Sequence, residues 1–136
     1  MYKHLLIATD GSESAHCSAP RTLEKQRLPL ASPGLCANMT PFALAVSPHR
    51  VYVLDQLGST VYEFDRASGL SLGTVPHGET FVLHMNLAAN GDLLLGSTNG
   101  RAVRVRPDGV RVAEYLQPAF TVGNKGVAEG PSGEIY

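Results

Sequence analysis

Tryptophan is absent from this chain of 136 residues, cysteine occurs only twice, and no apolar stretch approaches the length of a membrane span. Each shortage removes a class of protein. Cys17 and Cys36 lack CxxC spacing, and His16 beside Cys17 makes no ligand pattern with either, so zinc sites and redox pairs find no support and the two thiols read as structural or incidental. The apolar run from Leu5 to Ala8 is interrupted at Asp10, far short of a secretory leader's core, and a bilayer crossing needs about 20 apolar residues. A cytoplasmic location and no membrane partner are therefore expected. Charge of one sign is missing as well. With 11 Lys+Arg against 12 Asp+Glu, the net charge of −1 provides no global attraction for nucleic acid, and none is expected as a partner.

What the chain does contain is glycine and proline, 14 and 9 residues, spread among short apolar segments. That balance suits many strands joined by tight turns, and nothing after residue 28 reads as a long helix. Residues 41–75 and 82–116 repeat one pattern at a spacing of about 41 residues, and residues 123–136 begin it again. At constant spacing Val53 lies over Leu94, Leu54 over Leu95, Tyr62 over Val103 and Phe64 over Val105.

In the first copy strands are expected over Phe42–Ser47, Val51–Leu54, Thr60–Asp65 and Leu70–Val75; in the second, over Val82–Leu87, Asp92–Leu95, Ala102–Arg106 and Val110–Leu116. Asn90-Gly91, Asp108-Gly109 and Ser68-Gly69 supply the turns. The inner strands are apolar throughout, while the outer ones alternate, as Tyr62 and Phe64 against Glu63 and Asp65 show. Units of roughly 40–45 residues holding four strands, buried on both faces near an axis, are the blades of a β-propeller. The expected fold class is mainly β: two complete four-stranded propeller blades, about 41–76 and 82–117, and the start of a third at 123–136. A short strand and helix start and an irregular linker precede them.

The segments PFALAVSPHRVYVLD, ending at Asp55, and GVAEGPSGEIY, from Gly126 to Tyr136, resemble the strand-turn-strand signature of NHL-type and gluconolactonase-like propellers, strictosidine-synthase-like proteins among them. The resemblance covers about 95 residues and rests on a degenerate pattern. It implies a scaffold for a ligand or protein partner or, as an alternative, a metal-dependent lactonase whose channel mouth holds a divalent cation such as calcium on hard oxygen ligands. The positions that would carry such ligands are Phe42, Leu83 with His84, and Asn124 with Lys125, of which Asn124 alone has suitable chemistry. Glu129 joins it as a candidate because Val46 and Leu87 occupy its place in the earlier copies. A carboxylate there requires a partner or a metal, and both readings stand at this stage.

Residues 1–19, MYKHLLIATDGSESAHCSA, form another unit, in which Tyr2–Thr9 reads as a strand, Asp10-Gly11-Ser12 as a turn and Ser12-Glu13 as a helix start. This run resembles the opening of universal stress proteins, which implies that Asp10 sits at a nucleotide pocket and gives a third functional reading. The resemblance ends at residue 19. Pro20, Pro29 and Pro33 break any long helix over residues 20–40, which read as a linker, and the family's glycine-rich phosphate loop is missing.

The remaining titratable residues are unpromising for chemistry. His4, His16 and His49 lack ligand spacing, and His77 and His84 read as hydrogen-bonded structural residues. Arg101, Arg104, Arg106 and Arg111 cluster on the outer half of the second copy, but Glu79 and Glu114 dilute them and no aromatic platform interleaves them. No Ser-His-Asp order is visible. Two blades and a fraction cannot close a ring of about four to eight. The expected partners are therefore the remaining blades of a longer parent chain, or other copies meeting through exposed blade edges.

Overall fold

The computed structural model describes residues 39–116 and 126–136. The expected strand at Tyr2–Thr9, Asp10, nearly all of the 20–40 linker and Asn124 lie outside the described residues. Within them all regular structure is β. Strands β1 (Pro41–Val46), β2 (Arg50–Asp55), β3 (Thr60–Asp65) and β4 (Ser71–Val75) form one antiparallel sheet in chain order. Strands β5 (Val82–Leu87), β6 (Leu93–Ser97), β7 (Arg101–Val105) and β8 (Arg111–Leu116) form a second sheet of the same order. A third hairpin follows, with Glu129 bridged to Ile135.

Turn chemistry sets these hairpins. Gly91 at φ 89° closes the β5–β6 turn, where its amide donates to the Ala88 carbonyl at 2.9 Å. Gly133 at φ 87° makes the same 3.0 Å bond to Gly130 in the third hairpin, so Pro131-Ser132-Gly133 repeats Ala89-Asn90-Gly91. Positive φ is nearly free of steric cost only for glycine.

Alternation along each strand sorts side chains onto two faces. Ala45, Tyr52, Leu54 and Val61 leave one face of the first sheet and meet Val82, Met85, Leu93, Leu95, Val103 and Val105 of the second, all buried in a single apolar cluster. The innermost strands, β1 and β5, lie against each other. Buried side chains of this size contribute about 1.5–3 kcal/mol each, so the joint face holds the two sheets together. The opposite face of the first sheet carries Val51, Val53 and Phe64, packed with Met39, Leu44 and Tyr62. Leu94 and Ala102 on the far face of the second sheet pack against Val127 and Ile135 of the third hairpin.

One sequence expectation needs correction. Constant spacing puts Val53 over Leu94, yet Leu44 pairs with Val53 while its equivalent Met85 pairs with Leu95. The turn between paired ends takes in residues 47–50 in the first sheet and the longer 88–92 in the second. The next hairpin compensates, since Leu54 pairs with Val61 but Gly96 with Ala102. Strand β6 is therefore displaced by one residue relative to a uniform repeat, and Leu95, not Leu94, is the counterpart of Val53. Its expected start at Asp92 moves to Leu93 for the same reason. Asp92 belongs to the turn, where its carbonyl accepts the Ala88 amide at 2.9 Å.

Candidate functional site

With the register corrected, one charged position recurs in both sheets with its signs exchanged. Arg50 at the start of β2 reaches across to Glu63 on β3 at 2.9 Å, with Asp65 at 3.4 Å. In the second sheet Asp92 stands in the place of Arg50 and Arg104 in the place of Glu63, and they pair at 2.8 Å. Both pairs lie on the face directed at the following copy. The second pair reaches further, because Arg104 also holds Glu129 of the third hairpin at 2.9 Å and donates to the Asn90 amide oxygen at 2.7 Å. The hydrogen bonds it donates to Asp92 first, then to Glu129, hold the Arg104 guanidinium more firmly in its charged form.

Glu129 is thus placed as the repeat predicts, at the position of Val46 and Leu87. One of its carboxylate oxygens accepts Arg104 and the other the Ala89 amide at 2.5 Å. The partner that a carboxylate at this position requires is an arginine of the neighbouring sheet. Asn124, its companion in the sequence reading, and Asp10 fall outside the described residues. Among the described residues no group of three or more His, Cys, Asp or Glu is arranged to hold a metal ion.

The arginine cluster at the outer strands is neutralised by carboxylates. Arg101 pairs with Glu114 at 3.0 Å and Glu79 at 3.5 Å, Arg106 with Asp108 at 2.8 Å, and Arg111 with Glu114 at 3.2 Å and with Glu79. Glu79 takes two of these arginines on a side chain only 6% exposed.

Polar residues in the loops serve the backbone. Asp55 is buried and accepts the Thr40 amide at 2.7 Å and the Gly58 amide at 2.9 Å, tying the entry of β1 to the β2–β3 hairpin. Ser59 occupies the place of Gly100 and shares its positive φ, at 48° against 77°. The serine hydroxyl accepts the buried Val82 amide at 3.1 Å, linking the first sheet to the second. His77 is also buried, and its Nδ1 accepts the Glu79 amide at 3.1 Å. His49 is exposed and His84 half-buried.

No family of known proteins matches the chain, and no curated protein does. A solved structure does. Streptogramin B lyase, a β-propeller, superposes with a TM-score of 0.56 at 19% identity, over 70% of this chain and 32% of that one. The described sheets are β-propeller blades. The similarity is one of fold, and the chain spans about a third of the lyase's length. The two sheets are accordingly blades one and two, and the third hairpin repeats their β1–β2 unit.

Sequence reasoning missed the Asp92–Arg104–Glu129 seam. Its signal was available inside the repeat, as an Arg/Glu pair in one copy and an Asp/Arg pair in the other. A uniform spacing sets Arg50 over Gly91 and hides it.

Proposed function

We propose that the chain is a β-propeller scaffold that binds rather than transforms its partners, and that its blades work within a larger ring. The observation that carries this reading is the apolar cluster shared by blades one and two. One face of each of these two blades becomes core against the other, and about four to eight blades make a ring. The described charged groups support the same reading. Arg104, Glu129, Asp92, Glu79 and the outer arginines are all committed to one another, which leaves them structural employment. The further blades come from additional chain or from other copies.

Light scattering on the purified chain over a wide concentration range tests the ring requirement. Association into defined oligomers is expected, and a monomer that unfolds cooperatively at every concentration would remove the requirement. Thermal melts with calcium, magnesium, manganese and zinc test the scaffold reading against the metal-dependent lactonase alternative. A ligand that binds only the folded state raises the melting temperature, so a saturable calcium shift, lost in Glu129→Gln, would replace binding alone with metal chemistry. An absence of shift is expected, because a cation at Glu129 has to displace Arg104.

A further inference from the structure

The segment from Pro76 to Phe81 runs from β4 to β5 and is the covalent joint between blades one and two. It is held in a demanding conformation. Phe81 has φ 54° and Ser59, which meets the joint from the β2–β3 hairpin, has φ 48°, values that side chains with a Cβ rarely adopt. Two backbone amides pin these residues, Val82 onto the Ser59 hydroxyl at 3.1 Å and Thr98 onto the Phe81 carbonyl at 3.1 Å. Strained residues persist only where their surroundings over-determine them.

At the centre of the joint lies His77, 8% exposed, with Nδ1 accepting the Glu79 amide at 3.1 Å. That bond requires a ring nitrogen without a proton. We propose that the joint between the first two blades is an acid-opened hinge, released when His77 takes up a proton. Protonation turns the acceptor into a donor facing another donor, leaves the Glu79 amide unpaired and puts a charge in a buried position. The groups acting on the ring come from three places. They are Glu79 on the joint itself, Arg111 on β8, and the Ser59 backbone. Glu79 is poorly placed to neutralise a new cation, because Arg101 and Arg111 already occupy its carboxylate.

Burial lowers the affinity of His77 for a proton below its ordinary value of 6.5, outweighing the opposite pull of the Ser59 backbone and Glu79. An unfolded or opened joint therefore protonates first as pH falls. The stability owed to the neutral ring is complete above pH 6.5 and is lost progressively below it. The acidic range in which histidines act as switches is the range in which this hinge would move.

Amide hydrogen exchange on the whole chain, corrected for intrinsic rates, tests the proposal at about pH 7.5 and about pH 5.5. Protection at Glu79 and Val82 is expected to fall at least about fivefold at the lower pH, the loss of one buried hydrogen bond, while Val53 in β2 keeps its protection. His77→Gln retains an acceptor and cannot titrate, so its protection should be equal at both pH values. Equal protection in the unmodified chain, or an acid-dependent loss that survives in His77→Gln, overturns the hinge. If the variant does not fold, the imidazole titration of His77 decides. A midpoint below 6.5 upholds the proposal, and one at or above 6.5 refutes it.

Discussion

Replacing Arg104 with alanine would leave Asp92 and Glu129, 9% and 10% exposed at their side chains, facing the same cavity without a counter-charge. Three hydrogen bonds disappear together, at 2.8 Å to Asp92, 2.9 Å to Glu129 and 2.7 Å to Asn90. A hydrogen bond to a charged group contributes about 1.5–3 kcal/mol, and breaking a fully buried ion pair costs about 3–5 kcal/mol. Arg104 keeps 16% of its side chain in solvent, so water recovers part of that cost and a loss of about 2–3 kcal/mol is expected. Urea unfolding measures it, with the midpoint moving while the slope holds.

Two controls separate the seam from a generic surface charge. Arg50→Ala removes the equivalent pair of blade one, where the arginine is 40% exposed, and should cost less than about 1 kcal/mol. The exchange Asp92→Arg with Arg104→Glu rebuilds the Arg50–Glu63 arrangement inside blade two but sets the new glutamate against Glu129. It should therefore stay below the parent in stability and recover on adding Glu129→Gln. A loss under about 0.5 kcal/mol for Arg104→Ala, the range of ordinary surface changes, would refute the account of this seam.

Ser59→Ala removes the acceptor of the buried Val82 amide and should lower stability by about 1–3 kcal/mol in urea unfolding. Ser59→Gly loses the same bond but accepts φ 48° more easily, so it should cost less than the alanine variant. Gly109→Ala combines φ 89° with a methyl group that would collide with the Pro76 ring. Its melting temperature should fall, by more than about 1 kcal/mol in free-energy terms, because both the turn and the proline have to move. Leu54→Ala opens the shared core at a residue with no exposure and should cost about 2–5 kcal/mol. Below the histidine range another group takes over. Asp65 accepts from the Ser68 hydroxyl and amide and the Ala67 amide, which holds its carboxyl below the ordinary 3.8, so its contribution is present above 3.8 and lost as pH falls from there through the lowered folded-state value. Asp65→Asn should flatten that acid limb in a pH series of urea midpoints.

The sheet arrangement was legible in the sequence because strand alternation and the turn glycines recur together. Tyr62 over Val103 and Phe64 over Val105 hold in space, both pairs lying on β3 and β7 at equivalent register. The register of β6 was not legible. Leu93, Leu94 and Leu95 are all buried, and a run that is apolar on both faces reads the same when it slips by one residue. That slip also concealed the charge exchange between Arg50–Glu63 and Asp92–Arg104. Glu129 stood out in the sequence as a carboxylate where apolar residues were expected, but its partner sits 25 positions earlier on another blade. No local spacing links the two. His77 read in the sequence as a hydrogen-bonded structural residue, as it is, but its partner was not legible, and Ser59 carried no signal at all, since both roles arise where the hairpin of one blade meets the joint to the next.

The compensating loops around β6 limit how this array can be edited. A protein engineer who extends it by pasting segments at an even 41-residue interval would rotate the second strand of the pasted unit, turning its inward side chains outward. Cut points placed outside the β1–β2 turn and the β2–β3 hairpin, with both loops transferred together, preserve orientation. Interchangeable parts here are the strand with its two flanking loops, and a library of grafts drawn on those borders would keep each blade's seat against the next.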